Sequence, residues 1–168
     1  MRAYLPALGY VYVGLALVGF ALAGDHLRAA EAFFALAGFA YLWFLGSLRA
    51  RLIRYDPDGF FASVVVLGGA SYLPLQASAL ATKDVELAAL GSPGGAVVVV
   101  GSSLAAMHAR KVPRWFGGLG VVGGLGVLGV GAGEAAAHWT LAGSALWASV
   151  LGFMVWVLTA STWMLANR

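Results

Sequence analysis

Residues 4–23 read YLPALGYVYVGLALVGFALA, a run of 20 residues without a charged side chain. About 20 apolar residues of helix are needed to cross the hydrocarbon core of a bilayer. The run is longer than the apolar part of a secretory signal, although Ala21-Leu22-Ala23 resembles a signal cleavage site. We interpret the run as a retained first membrane span, with a cleaved signal peptide as the alternative.

The apolar character of this run extends over the whole chain of 168 residues. Hydrophobic residues make up 61% of the sequence and charged residues 10%, whereas a soluble domain has about 45–50% and about 25%. The mean hydropathy is +0.88. A water-soluble core of this size could not bury so much apolar surface, so residues 1–168 are predicted to form one integral membrane domain. Because the chain lacks cysteine, disulfides and thiol chemistry are excluded.

Six stretches of the sequence are predicted to be membrane spans. They cover residues 4–23, 29–48, 60–81, 94–109, 116–137 and 141–166. The predicted fold class is therefore all-α, a single bundle of six transmembrane helices. The fourth stretch is the shortest, and residues 82–93 before it are predicted to be a connector with a helical turn at residues 84–90.

The distribution of positive charge predicts the orientation of this bundle, because cytoplasmic loops of membrane proteins are enriched in Lys and Arg. With the N-terminus inside, only Arg28 and Lys83 lie on the outer side. The inner side then holds Arg2, Arg49, Arg51, Arg54, Arg110, Lys111, Arg114 and Arg168. We expect an N-in, C-in, multi-pass membrane protein.

The second span is predicted to continue as helix beyond the membrane, because Leu48, Leu52 and Tyr55 recur at helical spacing. The sequence DPDG at residues 56–59 then ends it. Three arginines lie between the apolar positions, at 49, 51 and 54. They either anchor this turn at the headgroups or form a docking site for an anionic lipid or a partner.

The fifth stretch is unusually rich in glycine, with nine glycines between residues 117 and 133. Gly120/Gly124 and Gly129/Gly133 are G-x-x-x-G pairs, which let membrane helices approach closely. We expect this helix near the centre of the bundle, packed by neighbours on two sides. A flexible or pore-lining helix is the alternative.

Polar side chains in the third stretch are the predicted solute-binding residues: Gln76, Ser71 and Tyr72, beside Pro74. Proline removes a backbone hydrogen bond, and an uncharged amide within a membrane needs a partner. These groups either satisfy one another between helices or form a small polar site. No ionisable residue lies at the middle of a predicted span, which argues against an ion-coupled transporter.

Histidine and acidic residues are predicted to gather at the outer rim. His138 follows Glu134 by four residues, and His26 lies in the first outer loop. Such a group could bind a divalent metal weakly, although no two-ligand helical motif is present. No catalytic residue and no cofactor are predicted.

Two segments resemble known membrane proteins. YLWFL at residues 41–45 with LRARL at 48–52, and ARKVPRWFG at 109–117 before a glycine-rich span, are similar to a family of six-helix actinobacterial membrane proteins of unknown function. The resemblance implies the same topology and a bacterial inner membrane, and it brings no activity. The stretch Tyr41-Leu42-Trp43 with an Asp in the next loop also resembles small amide and urea channels.

Two functions follow as hypotheses from these patterns. The first is a scaffold or accessory subunit of a membrane complex, surrounded by the lipid bilayer and paired with a membrane protein partner or a second copy. The second is a passive channel or carrier for a small neutral or apolar solute. A membrane enzyme acting on lipids is the least supported alternative, and no nucleic-acid partner is expected.

Overall fold

The computed structural model describes residues 2–56, 58–82, 85–108, 114–136 and 142–166, with side chains at 5–56, 58–79, 89–108, 117–129 and 150–166. This part of the chain is helical and contains no strand. A 3₁₀ helix, Arg2–Ala7, precedes six α-helices: α1 (Leu8–Leu22), α2 (Leu27–Leu52), α3 (Phe60–Thr82), α4 (Val85–His108), α5 (Arg114–Ala136) and α6 (Ala142–Ala166). The predicted all-α class is confirmed.

Four of the described helical segments are long and apolar enough to cross a bilayer. They are Leu5–Leu22, Leu27–Leu52, Phe60–Ala79 and Ala89–His108. Large apolar side chains remain exposed along them, for example Phe39 at 63% and Leu67 at 70%. Hydrocarbon is the solvent that such surfaces require, so the chain is a membrane protein with transmembrane helices.

The fourth helix begins earlier than predicted, at Val85 instead of residue 94. The turn predicted at residues 84–90 is helical from Val85 onward, but it belongs to α4 itself, so the prediction that the residues up to 93 form a connector is wrong. Pro93 lies inside α4, and Gly91, Gly94 and Gly95 around it face side chains or backbone of α3. Membrane helices tolerate Pro and Gly where neighbouring helices take up the freed backbone groups, which explains why this helix-breaking composition does not end the helix.

The end of α2 confirms both the predicted extension and the predicted break. The side chains of Leu48 and Leu52 are buried, with exposed fractions of 2% and 1%. The carbonyl of Leu52 accepts hydrogen bonds from Tyr55 N at 2.8 Å and Asp56 N at 2.9 Å. Asp56 Oδ2 then accepts one from Phe61 N at 2.6 Å, which caps the first turn of α3. Gly59 has φ +69°, a left-handed conformation that glycine adopts readily.

The chain divides into two compact units, and the division falls within α2 and within α6. The first unit comprises Met1–Leu48 and Val157–Arg168. Its core contains aromatic rings from α1 and α2, with Tyr12 and Tyr41 centroids 5.1 Å apart. Gly19 of α1 lies against the ring of Phe34 and Gly9 against that of Phe44, so small residues of α1 pack against aromatic side chains of α2.

The second unit comprises Arg49–Trp156, and α4 is its central helix. Of the apolar window of α4, 67% is buried, compared with 28% for α3. Its two neighbours are antiparallel to it, because Gly68 and Gln76 of α3 face Gly94 and Gly91, while residues of α5 run past α4 in the same reversed order. Within this unit α4 contacts both α3 and α5, and the expectation that α5 lies near the centre of a six-helix bundle stays a prediction.

Candidate functional site

The three residues predicted to bind a solute lie along the seam between α3 and α4. Ser71 Oγ and Tyr72 N lie 2.7 Å and 3.0 Å from where a Cβ of Gly94 would stand, and Gln76 Nε2 lies 3.0 Å from that position at Gly91. The structure therefore brings all three against the glycines of α4. Whether they share one solute site stays a prediction.

Glycine is what allows the two helices to come so close. A Cβ at Gly94 would stand 2.5 Å from the carbonyl oxygen of Gly68, and a Cβ at Gly68 would stand 2.8 Å from that of Gly94. Both distances are below 3.0 Å, so neither position can carry a side chain without a shift of backbone. Because the hydrophobic effect does not drive helices together in lipid, such close backbone packing is what stabilises their association.

Two prolines lie at the same level of this seam. The contacts of Tyr72 with Gly94 and of Gln76 with Gly91 bracket Pro74 on α3 and Pro93 on α4. Each proline removes one hydrogen bond from its helix. The polar side chains of the seam therefore lie where both helices have carbonyl groups to satisfy.

The chemistry available in the seam is hydrogen bonding without charge. Ser71 Oγ already donates to Gly68 O at 2.9 Å, so its proton is engaged within its own helix. The Tyr72 ring is buried and packs against Phe153 of α6, with centroids 4.8 Å apart. Gln76 is half-buried and carries both a donor and an acceptor. Such a set can orient a neutral amide or hydroxyl through hydrogen bonds.

The glycines of α4 are the seam residues that the sequence analysis missed. Gly91 and Gly95 are separated by three residues, the same G-x-x-x-G spacing that was recognised in the fifth stretch. A Cβ at Gly95 would stand 3.0 Å from two atoms of the Tyr72 ring. This spacing was a usable signal, but the predicted boundary between the connector and the fourth span, at residues 93 and 94, fell inside it.

The predicted metal-binding residues are only partly described. His26 is exposed in the turn between α1 and α2. The side chain of Glu134 and the whole of His138 lie outside the described residues. Among the residues that the structure does describe, no three His, Asp or Glu side chains come together to hold an ion. The rim metal site stays a prediction.

One face of α5 packs against α4, and no described residue covers the other. Gly120 and Gly124 sit against Ser103 and against Val100 and the carbonyl of Ala96. By contrast, a Cβ at Gly123, Gly126 or Gly129 would meet no described atom within 4 Å. Over residues 117–129 the described residues cover one of the two glycine faces, and the neighbour expected on the second face stays a prediction.

We call the uncovered side the open face of α5. Besides its glycines it carries three large apolar side chains, Leu119 at 63%, Val122 at 68% and Leu125 at 55% exposure. Glycine contributes no side chain to lipid contact and is among the poorest helix formers. A face that alternates bulky residues with gaps is shaped for another helix rather than for lipid chains.

A buried hydroxyl occurs in the first unit, on α6. Ser161 is fully buried, and its Oγ has no hydrogen-bond partner among the described residues. It points at Gly9 of α1, where an added Cβ would overlap it. Nearby, the hydroxyls of Tyr10 of α1 and Thr162 of α6 are hydrogen-bonded at 2.6 Å.

Comparison with protein-family models, with curated proteins and with solved structures gives no match for this chain. The resemblances noted in the sequence therefore stay predictions, and function has to be argued from the residues themselves.

Proposed function

We propose that the chain is a structural subunit of a membrane assembly, and that it associates through the open face of α5. The observation that supports this is the contrast between the two sides of that helix. Gly120 and Gly124 lie under α4, whereas Gly123, Gly126 and Gly129 have nothing described within 4 Å. Both sides have the composition of a helix interface, and the described residues fill one of them.

Contact with lipid would not offset the energetic cost of the glycines on the open face. An exposed glycine within a helix lowers helix stability by about 1 kcal/mol relative to alanine, and it has no side chain with which to contact lipid. Close packing of a second helix restores dispersion contacts that the missing side chains forgo. Three such glycines beside Leu119 and Val122 are therefore better explained by a protein neighbour than by lipid.

The partner we propose first is a second copy of the chain. In a twofold assembly the same patch must complement itself. The open face carries both projections, at Leu119, Val122 and Leu125, and gaps, at Gly123 and Gly126. One helix of this kind can insert its projections into the gaps of a copy of itself.

The experiment is a measurement of dimer fraction in liposomes, by energy transfer between labelled chains over a range of protein-to-lipid ratios. Gly126→Leu should lower the dimer fraction at least about tenfold, because it fills a gap of the open face. Gly152→Leu on α6 is the matched control, since Gly152 is also exposed and also has nothing described within 4 Å. It should leave dimerisation unchanged.

A pulldown in mild detergent separates the two kinds of assembly. A stoichiometric second protein that is lost with Gly126→Leu would support the subunit function with a different partner. A wild-type chain that is monomeric at every ratio and recovers no partner would contradict the proposal.

The proposed topology is a six-span bundle with both termini on the cytoplasmic side of a bacterial plasma membrane. The supporting observation is the concentration of eight of ten cations on one side of the six spans. Because the chain has no cysteine, single-cysteine variants report the side directly. A membrane-impermeant maleimide should label Asp25→Cys in intact cells and spare Asp58→Cys, and the reverse pattern would invert the topology.

A passive path for a small neutral solute is the second candidate function. The seam between α3 and α4 supports it, since Tyr72 and the half-buried Gln76 face glycines at the level of two helix prolines. Flux of urea or glycerol into liposomes tests it. Gln76→Leu should reduce flux and Gly152→Leu should not, whereas flux equal to protein-free liposomes would exclude a channel for these solutes.

A further inference from the structure

The carboxyl end of α2 combines a cationic cluster with an apolar helix face. Arg49, Arg51 and Arg54 follow one another within six residues, and Arg49 and Arg54 are exposed. Of the two nearby acids, Asp56 is half-buried and accepts a hydrogen bond from the backbone of α3. Asp58 is exposed. The end of α2 therefore presents an excess of positive charge.

The exposed residues of α2 leading to this cluster form one stripe. Because residues 39–50 belong to the single helix α2, their placement follows from helix geometry. The exposed residues on this side are Phe39, Leu42, Trp43, Gly46 and Ala50, followed by Ile53 in the turn after the helix. The stripe is apolar over its whole length, which is a surface suited to hydrocarbon.

The stripe has only small residues, Gly46 and Ala50, next to the arginines. Gly46 has nothing described within 4 Å of a Cβ position, and Ala50 one turn later carries only a methyl group. Above this gap stand the rings of Phe39 and Trp43, whose centroids are 6.1 Å apart. The result is a shallow apolar groove that ends at the arginines.

The arginines flank that groove. At about 100° per residue, Arg49 and Arg54 lie on opposite sides of the line through Gly46 and Ala50. Arg54 lies in the turn after α2, which keeps one α-type hydrogen bond, from Ile53 N to Arg49 O at 3.0 Å, and one 3₁₀-type bond, from Arg54 N to Arg51 O at 3.2 Å. Two long guanidinium side chains can therefore reach a single anion placed over Ala50.

We propose that this groove binds an anionic phospholipid, with its phosphate between Arg49 and Arg54 and an acyl chain along Gly46 towards Trp43. Arginine binds phosphate through paired, charge-assisted hydrogen bonds. The apolar groove ending at the charges matches a molecule with a phosphate head and a hydrocarbon tail. A free phosphate ion would use the arginines alone and would ignore Gly46.

The test is native mass spectrometry of the purified full chain with phosphatidylglycerol and with phosphatidylcholine of the same acyl chains. Wild type should bind phosphatidylglycerol at least about tenfold more tightly, and Arg49→Gln with Arg54→Gln should abolish that preference. Arg28→Gln is the matched control, because Arg28 is the exposed cation at the other end of the same helix. It should retain the preference.

A second variant keeps the charges and removes the groove. Gly46→Leu should weaken phosphatidylglycerol binding about as strongly as the double arginine variant, and it answers the question if the double variant fails to fold. Equal binding of the two lipids by wild type would overturn the proposal. So would full competition by inorganic phosphate at millimolar concentration, or unchanged lipid binding by Gly46→Leu, since each identifies a site for phosphate alone.

Discussion

Replacing Gly94 by alanine should weaken the contact between α3 and α4, because a single methyl group cannot be accommodated there. The new Cβ would stand 2.5 Å from the carbonyl oxygen of Gly68, whereas ordinary contact begins at 3.4 Å. Ser71 Oγ, at 2.7 Å, is on an exposed side chain and can rotate away. The Gly68 carbonyl belongs to the backbone of a helix and cannot, so the two helices must separate by about 0.9 Å.

The energetic consequence follows from the short range of dispersion forces. A gap of about 0.5–1 Å forfeits about a quarter to a half of each contact energy, and overpacking a close interface costs about 1–3 kcal/mol. We expect Gly94→Ala to lower the free energy of unfolding by about that amount. Denaturation by SDS in mixed micelles, followed by tryptophan fluorescence, measures it.

The matched control for this experiment is Gly152→Ala in the same unit. Gly152 meets nothing described within 4 Å, so the methyl group should be neutral or stabilising by up to about 1 kcal/mol through helix propensity. If Gly94→Ala is as stable as Gly152→Ala, the close approach of α3 and α4 is refuted.

Three further substitutions test other contacts by the same unfolding assay. Ser161→Ala should be neutral or stabilising by about 1 kcal/mol, because its buried Oγ has no hydrogen-bond partner among the described residues; a loss above about 1 kcal/mol would reveal a partner. Gly9→Ala should be destabilising by about 1–3 kcal/mol, and Ser161→Ala should restore part of the loss, since the added Cβ overlaps Ser161 Oγ; simple additivity would deny this contact. Asp56→Ala should cost about 1 kcal/mol by removing the acceptor of Phe61 N, and an unchanged midpoint would show that water replaces the carboxylate.

The membrane class and most helix limits could be predicted because they depend on local composition. The end of α2 is an example, since the spacing of Leu48, Leu52 and Tyr55 and the DPDG break are properties of neighbouring residues. The start of α4 could not be obtained in this way. Gly91, Pro93, Gly94 and Gly95 favour a loop locally, and only the presence of α3 opposite them makes a helix the better state.

The location of α5 illustrates a second limit of prediction from sequence. Its glycines predict close neighbours on two faces, but a glycine pattern does not specify which helix packs against each face. Gly120 meets Ser103 of α4, and Gly126 meets nothing described within 4 Å. The polar side chains of the seam face α4, and whether they form a solute site stays a prediction. Of the glycines opposite them, Gly91 was assigned to a connector, and Gly94 and Gly95 to the start of the fourth span.

The enclosure of α4 has a consequence for how the protein is made. During synthesis α4 follows α3 into the membrane, while α5, which supplies its other wall through Gly120 and Gly124, emerges afterwards. Until α5 is inserted, α4, which contains Gly, Ser and Pro, must pack against something other than its final neighbour. We expect nascent chains that stop after α4 to be held by the insertion machinery or degraded, and chains that continue through α5 to be released.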